Sequence, residues 1–321
     1  MGMIKGKVGM GVLLLFVVLA VLAGPAQAYD LKWGTAPAGG LWQVLGTVML
    51  EDILKKNPSM KGSTVPVGGA ANVIGVTENK LNVAFSFSDV VYDAWEGNEF
   101  FKAKGQIRNI RALANLFPEP TQFAVFADSG IKEISQLKGK KITPGPKGSA
   151  VELVTRRILE MYGITYKDVQ AQMVSFGEGA QLLIDNHIEA ILYGAMVLPT
   201  PGLVNANSQR QIRLLSLSED VIQKLVKTYR GLEPYTIPPN TYKGVDYPAK
   251  GVASQCNLIA REDMPEEVAY GITKSIAENF ERYQSTVKPM SMAKAEHMPK
   301  DAGIPFHPGA LRYFKERGWV K

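Results

Sequence analysis

The chain has 321 residues, a formal net charge of +6 and one cysteine, Cys256. Its length is enough for two domains of ordinary size, each with its own buried core. A single cysteine excludes an intrachain disulfide framework. The charge is mildly positive and no nucleic-acid-binding motif accompanies it, which argues against a nucleic-acid partner.

The first residues read as an export signal. Lys5 and Lys7 precede an apolar run over residues 8–22, and Ala26-Gln27-Ala28 follows as a small-x-small cleavage pattern. An uncleaved membrane anchor is the alternative, but Gly24-Pro25 breaks a helix and favours cleavage. We therefore predict a signal peptide over residues 1–28, cleaved after Ala28, and a protein located in the periplasm.

Beyond the signal, short apolar runs alternate with segments of helical periodicity, which is typical of an α/β protein. A segment rich in proline, glycine and tyrosine at 237–251 is expected to be irregular. The predicted strands are 63–67, 82–87, 110–117, 121–127, 141–143, 190–193, 211–217 and 252–260, and the predicted helices include 68–79, 88–97, 151–162, 218–229 and 264–283.

Four loops share one pattern, in which a strand leads through small residues into a helix. They lie within residues 32–46, 66–73, 86–89 and 143–152. The first has neither the Lys-Ser/Thr of a nucleotide P-loop nor the G-x-G-x-x-G of a dinucleotide site. Each loop alone is explained almost as well by an ordinary turn or helix cap.

Taken together, the four loops favour a ligand site. Backbone N–H groups and the positive end of a helix dipole make such junctions suitable for anions. Ligands of open α/β sheets lie beyond the carboxyl ends of the strands, and domain interfaces are favoured places for them. We therefore expect a cleft between two lobes that closes on a negatively charged small molecule.

Catalytic machinery is not evident. The three histidines have no metal-binding spacing, and no G-x-S-x-G nucleophile motif occurs. Cys256 lies in an apolar strand, where an inert core thiol is the better interpretation. We predict no enzymatic activity, no metal and no cofactor. Trp42 and Tyr193 are either pocket walls or ordinary core aromatics.

The residues also resemble a known family. The stretches "GTAPAGGLWQVLG", "ISQLKGKKITPGPKGSAVELVTRRILEMYGI" and "GIPFHPGALRYFKERG" resemble, in this order along the chain, the TAXI family of solute-binding subunits from tripartite ATP-independent periplasmic (TRAP) transporters. The resemblance extends over about residues 32 to 318, nearly the whole chain after the signal.

This resemblance implies a type II periplasmic binding protein, in which two α/β lobes joined by a hinge close like a Venus flytrap. Lobe 1 would combine residues 29–125 with 248–321, and lobe 2 would be residues 126–247. The implied ligand is a small organic anion, a carboxylate or an amino acid. The implied partner is an integral membrane TRAP permease driven by an ion gradient, and the receptor itself is expected to be a monomer.

Matching positions and the four loops together give the expected ligand site. Ala36-Pro37-Ala38 and Ala150-Val151 replace residues that are more polar in the family, so we expect a ligand with a less polar body. A binding component of an ATP-driven importer, or of a sensor kinase system, is the alternative function. The expected ligand-binding residues are Thr35, Ala36, Gly39, Gly40, Trp42, Asn72, Ser86, Ser88, Lys147, Ser149, Ala150 and Tyr193.

Overall fold

The computed structural model describes residues 29–36, 41–291 and 293–321. The predicted signal peptide and two expected ligand residues, Gly39 and Gly40, lie outside this range. Within it, no helix is both long enough and apolar enough to span a bilayer.

The strands are β1 (Asp30–Gly34), β2 (Lys61–Val65), β3 (Val83–Phe87), β4 (Ile110–Pro120), β5 (Gln122–Phe126), β6 (Lys141–Thr143), β7 (Gln170–Ala171), β8 (Ala190–Tyr193), β9 (Ile212–Leu214), β10 (Leu232–Ile237) and β11 (Ala249–Arg261). The α-helices are α1 (Leu41–Lys56), α2 (Gly69–Thr77), α3 (Ser88–Glu96), α4 (Ala150–Met161), α5 (Phe176–Ile184), α6 (Pro201–Gln209), α7 (Glu219–Thr228), α8 (Glu266–Glu278), α9 (Phe280–Thr286) and α10 (Pro308–Glu316). Short 3-10 turns lie at Glu99–Phe101, Ile134–Leu137, Lys288–Met290 and Ala295–His297.

Two sheets organise the described residues. Sheet 1 has the order β10-β11-β3-β1-β2, with β4 paired to the other edge of β11. Sheet 2 has the order β7-β6-β8-β5-β9. We call sheet 1 with the helices packed on it the first lobe, and sheet 2 with its helices the second lobe. The predicted α/β class with two lobes is confirmed.

Continuous apolar runs place each sheet inside its lobe. All residues of β3 are buried, as expected for a central strand covered on both faces. In β5, Phe123 and Val125 join one buried apolar cluster, and Ala124 and Phe126 join another. Because successive side chains of a strand point to opposite faces, sheet 2 has a core on each face.

The chain passes between the lobes at two adjacent places, which together form the hinge. Thr121 separates β4 from β5, and its N–H donates to Val252 O at 2.8 Å. At the start of β11, Leu217 N–H of the second lobe donates to Lys250 O at 2.8 Å. Strand pairing holds both crossings side by side, so the lobes are joined by a narrow, hydrogen-bonded ribbon.

One boundary prediction was wrong. We expected separate strands on either side of Pro118-Glu119-Pro120, but β4 runs through these residues to Pro120. Proline removes one backbone donor, which an edge strand tolerates. Strand β4 pairs with β11 alone within sheet 1, and its register with β11 shifts just before the first proline. The glutamate between the prolines is therefore fixed in a strand rather than carried on a turn.

Three strands, β1, β7 and β10, are absent from the predicted strands, and one segment was predicted correctly. Strand β7 has only two residues, and β10 is interrupted by a proline, so neither shows a clear alternating pattern. The segment expected to be irregular corresponds to the connection between β10 and β11. The spacing over residues 151–162 predicts one helix face of Val151, Val154, Ile158 and Tyr162, and α4 buries the first three while Tyr162 is half-buried.

Gly194, directly after β8, lies against the first turns of α4. A Cβ atom added there would be 2.5 Å from Thr155 N and 2.7 Å from Val151 O, both backbone atoms. We expect Gly194→Ala to lower the free energy of unfolding by about 1–3 kcal/mol, since the helix must shift. Urea unfolding of the purified protein measures this change.

Gly271→Ala is the matched control. Gly271 lies within α8 and has no atom within 4 Å of an added Cβ. There the substitution should raise the free energy of unfolding by about 0.5–1 kcal/mol, because alanine favours a helix more than glycine does. Equal effects of the two substitutions would contradict the close packing of α4 on β8.

Candidate functional site

Residues from both lobes meet in one buried apolar cluster. Ala150, the first residue of α4, and Ala195, just after β8, belong to the second lobe. Both are buried in the same cluster as Trp42 and Phe87 of the first lobe. The lobes are therefore in contact where the ends of β3 and β8 face each other, which is where the sequence predicted a ligand cleft.

Aromatic rings form the first-lobe side of this boundary. The Trp42 ring lies 4.8 Å from the Phe87 ring and 5.9 Å from the Phe85 ring, measured between centroids. Phe85 and Phe87 alternate with Ser86 on β3, so both rings project from the face of sheet 1 that α1 covers. This arrangement presents a rigid apolar wall with one polar group, the indole N–H of Trp42.

The indole N–H points at a buried carboxyl. Trp42 Nε1 donates to Glu119 Oε1 at 3.1 Å, and Glu119 is 3% exposed. Burial raises the pKa of Glu119 to about 8, although the hydrogen bond from Trp42 lowers it. The carboxyl of Glu119 is thus mostly protonated at neutral pH.

A buried ion cluster joins the lobes beside this wall. Arg157 of α4 donates from Nη2 to Asp93 Oδ2 at 2.6 Å and from Nη1 to Asp89 Oδ2 at 3.3 Å. Both aspartates are on α3 of the first lobe, and Ser254 Oγ of β11 donates to Asp89 Oδ1 at 2.7 Å. The Arg157 guanidinium also lies 4.3 Å from the centre of the Tyr229 ring.

Burial shifts the pKa values of both aspartates in this cluster. It raises the pKa of Asp89, and it raises that of Asp93 to about 6, while the neighbouring Arg157 guanidinium opposes both shifts. The Arg157 side chain is only 2% exposed. Because its charge is balanced by two aspartates, Arg157 is committed to holding the lobes and is not free to bind an anion.

An apolar groove runs along the lobe boundary next to the aromatic wall. Its volume is about 740 Å³. Leu41 and Val44 of α1 line it from the first lobe, and Val197, Pro199 and Val204 line it from the second.

Two of the expected ligand residues support the fold around the first loop. Thr35 is buried, and its N–H donates to Val65 O at 2.9 Å; Ala36 is half-buried next to it. The Asn72 amide donates to Thr35 O and to Phe85 O, each at 2.9 Å, and accepts from Gly68 N at 3.1 Å. Asn72 therefore fastens together the ends of β1, β3 and the loop before α2.

The two serines around β3 differ. Ser88 Oγ donates to Gly231 O and accepts from Gln255 N, so it ties α3 to β10 and β11. Ser86 is fully buried on the sheet face opposite Phe85 and Phe87, and its hydroxyl has no partner among the described residues. That face lies away from the aromatic wall.

The second-lobe residues lie around the start of α4 and the end of β8. Ser149 Oγ accepts from Glu152 N at 3.1 Å and caps α4, while Lys147 is exposed before it. The Tyr193 hydroxyl donates to Phe176 O at 3.0 Å, and Tyr193 is fully buried. Among all these predicted residues, the structure brings Trp42 and Ala150 into the shared cluster at the boundary.

Sequence reasoning missed the charged residues. Glu119 was left between two predicted strands, and Arg157 was overlooked although it adjoins the apolar face of α4. A useful signal was present: Asp89 and Asp93 are one helical turn apart, and Arg157 follows Val154 by three residues. Charges at positions where a helix is expected to be buried indicate a partner on another element.

Cys256 is fully buried, and burial raises the pKa of its thiol, so it does not form a reactive thiolate. Among the described residues, no group of histidine, cysteine, aspartate and glutamate side chains is arranged to hold a metal ion.

Arg157→Met should lower the free energy of unfolding by about 3–5 kcal/mol near pH 7, since two buried aspartates lose their cation. Arg156→Met is the control, because the Arg156 side chain is 35% exposed and pairs with Glu99 and Glu160 at the surface. That change should cost at most about 1 kcal/mol. Similar small losses in urea unfolding of both variants would show that the lobes are not tied by Arg157.

Glu119→Gln should alter how stability depends on pH. The folded protein keeps the Glu119 proton up to a pKa of about 8, whereas an unfolded chain loses it at an ordinary carboxyl pKa. Wild-type stability should therefore fall, relative to the variant, as pH rises from about 5 to 8, by up to about 1.4 kcal/mol per pH unit. Glu51→Gln, an exposed position on α1, is the control, and parallel pH profiles for wild type and Glu119→Gln would contradict the assignment.

Comparisons with known proteins agree with this architecture. Solved structures similar in fold include a TctC solute-binding protein from Polaromonas, with a TM-score of 0.54, 18% identity and coverage of 92% of this chain and 99% of that one. The periplasmic aliphatic sulphonate-binding protein SsuA from Escherichia coli has a TM-score of 0.51, 17% identity and coverage of 89% and 83%. A protein from Bordetella bronchiseptica RB50 has a TM-score of 0.56, 15% identity and coverage of 91% and 99%. The model of the NMT1-like family matches residues 33–318, so the chain belongs to the NMT1-like family and has the fold of two-lobed periplasmic binding proteins.

Proposed function

We propose that this protein is a periplasmic receptor that captures a small organic anion between its lobes and delivers it to a TRAP permease driven by an ion gradient. The observation that carries the proposal is the shared buried cluster, in which Trp42 and Phe87 of one lobe meet Ala150 and Ala195 of the other. Two lobes joined by a narrow hinge enclose a ligand when they close, so occupancy is reported by lobe closure.

The proposed receptor is exported and has two lobes. Residues 1–28 are a signal peptide, residues 29–125 and 248–321 form lobe 1, and residues 126–247 form lobe 2. The hydrogen bonds at Thr121 and at Lys250 lie near residues 125 and 248 and support these proposed boundaries. The receptor acts as a monomer without catalysis, metal or cofactor.

The proposed ligand has a carboxylate and a less polar body. Its carboxylate would accept hydrogen bonds from backbone N–H groups at the starts of α1 and α4, with Lys147 adding positive charge at the mouth. The aromatic wall of Trp42, Phe85 and Phe87 suits the less polar part. The remaining proposed ligand residues are Thr35, Ala36, Gly39, Gly40, Asn72, Ser86, Ser88, Ser149 and Tyr193.

A receptor for an ATP-driven importer, or for a sensor kinase, would have the same fold. The partner decides between these functions. Affinity purification of the ligand-loaded receptor with detergent-solubilised membranes should recover a polytopic permease, and recovery of an ATPase complex or a histidine kinase would replace the TRAP assignment.

Thermal melts test the ligand class. Organic acids and amino acids that bind the folded protein should raise its Tm, and the rise should grow with ligand concentration. Neutral sugars of similar size are the control and should leave the Tm unchanged. Stabilisation by sugars or metal ions, with none by any carboxylate, would overturn the proposed ligand class.

Ser149→Ala separates a binding role of this residue from a capping role. Ser149 Oγ already accepts from Glu152 N, so the variant should lose about 1 kcal/mol of stability. If the Ser149 O–H also donates to the ligand, affinity should fall about fivefold as well. Ser175→Ala is the control, because Ser175 caps α5 in the same way from an exposed position. Unchanged affinity in Ser149→Ala would make Ser149 a helix cap only.

A further inference from the structure

We propose that the apolar groove at the lobe boundary is a binding site of its own, which takes an amphipathic organic anion with an extended apolar chain. This inference goes beyond the proposed function and does not require it, because the groove lies outside the buried cluster shared by the lobes. Val204 is assigned to the apolar chain of this ligand and Lys288 to its charged head.

The groove continues into a second, smaller cavity. The groove has a volume of about 740 Å³ and the smaller cavity one of about 270 Å³. Leu198, Pro199, Lys288 and Pro289 line both, so the two spaces adjoin along one wall. Pockets that bind small molecules measure about 300–1,000 Å³. The space therefore suits an elongated small molecule that reaches from one cavity into the other.

Exposed apolar side chains are concentrated in the groove. Among the described residues, the large apolar side chains that are exposed are Val44, Val67 and Val204. Val44 of α1 is 48% exposed and Val204 of α6 is 47% exposed, and both line the groove, one from each lobe. A ligand methylene group that is buried against them strengthens binding by up to about fourfold.

The walls of the groove are held by hydrogen bonds and by the core. On the second lobe, Val197 O accepts from Gln122 Nε2 at 3.0 Å, and Thr200 N donates to the Tyr242 hydroxyl at 2.8 Å. On the first lobe, Val287 lines the groove and is itself buried in the core. Because these walls are already ordered, a ligand does not lose affinity by ordering them.

Lys288 sets the charge of the two cavities. Among the described residues that line either cavity, it is the one with a charged side chain, and no carboxylate pairs with it. Glu233 lies on the same face of β10 as Tyr235, but it lines neither cavity and accepts from Gln255 Nε2. An anionic head group beside Lys288 is therefore attracted, and an ammonium group is repelled.

Two further donors lie in the smaller cavity with Lys288. The Tyr235 hydroxyl and the Asn240 amide line it, and neither side chain has a hydrogen-bond partner among the described residues. Both can donate to a carboxylate, which accepts at both of its oxygens. The site thus has donors and a positive charge at one end and aliphatic side chains at the other, which is the pattern of an amphipathic anion.

Such a ligand contacts both lobes at once. Helix α1 and the turn that carries Lys288 belong to the first lobe, and α6 belongs to the second. A ligand that needs walls from both lobes binds only while the lobes are together, so it favours that arrangement.

Alkanoates of increasing length test the apolar end of the site. Calorimetric titrations of the full mature chain use butanoate, hexanoate, octanoate and decanoate, each below its micelle concentration. Affinity should rise by about two- to fourfold for each added methylene. Val204→Ser should weaken octanoate about threefold or more. Val67→Ser is the matched control, since Val67 is an exposed valine that lines neither cavity, and it should leave the affinity unchanged.

Octanoate, 1-octanol and octylamine test the charged end. Octanoate should bind wild type about fivefold or more tightly than 1-octanol, because Lys288 pairs with its carboxylate, and octylamine should bind least tightly. Lys288→Gln should reduce octanoate to the level of 1-octanol and leave 1-octanol unchanged. Added NaCl should weaken octanoate in wild type and not in Lys288→Gln. Lys55→Gln, an exposed position near the other end of α1, is the control and should behave as wild type.

Three outcomes would overturn the inference. Affinity that does not change with chain length, or that survives in Val204→Ser, places the apolar chain elsewhere. Octanoate that binds wild type no better than 1-octanol, or binds Lys288→Gln as well as wild type, rules out the charged head at Lys288. If no alkanoate binds and Val204→Ser changes self-association in sedimentation velocity, the groove is a contact between copies of the chain.

These results are separable from the proposed function. Val204 and Lys288 are exposed, so both variants should fold, and their Tm without ligand verifies this. Short carboxylates and amino acids that raise the Tm equally in wild type and in both groove variants would support the proposed receptor even where the groove inference fails.

Discussion

The arrangement of the two lobes depends on the ion cluster of Arg157, Asp89 and Asp93. Removing three charges from water is unfavourable, and the mutual attraction of the charges offsets this only when their hydrogen bonds are good. Here the guanidinium contacts both aspartates, and Ser254 donates to one of them. When the lobes separate, each charge regains water and loses its partners, so the two states differ little in electrostatic free energy. A cluster of this kind specifies how the lobes fit without preventing them from opening.

The same cluster determines what the rest of the boundary can bind. Because Arg157 is neutralised, recognition of the proposed anion would fall to backbone N–H groups at helix starts and to the exposed Lys147. These donors are weaker than a free guanidinium and act at the edge of the boundary. The interior is apolar and contains Glu119, whose pKa is raised by burial. In the proposed function the groups that bind the anion therefore lie at the rim of the boundary, and a buried acid lies at its centre.

Much of the fold could be predicted from the sequence, because periodicity and strand length report burial directly. The helix face of Val151, Val154 and Ile158 is an example, and so is the apolar run of β3. The prediction was wrong about where β4 ends, because prolines were taken as the end of the strand. Pro118 and Pro120 normally end a strand, but on an edge strand with one partner they do not, and this depends on tertiary pairing that no local pattern shows. For that reason Glu119 was not among the predicted site residues.

The predicted site shows a related limit. Glycine, serine and asparagine at strand-to-helix junctions are the residues that bind ligands, and they are also the residues that satisfy backbone groups where chains turn. In this chain Asn72 uses its whole amide to join three segments, Ser88 joins α3 to two strands, and the Tyr193 hydroxyl holds α5. Side chains that are already occupied in this way can position a ligand site, but their hydrogen bonds are not available to the ligand.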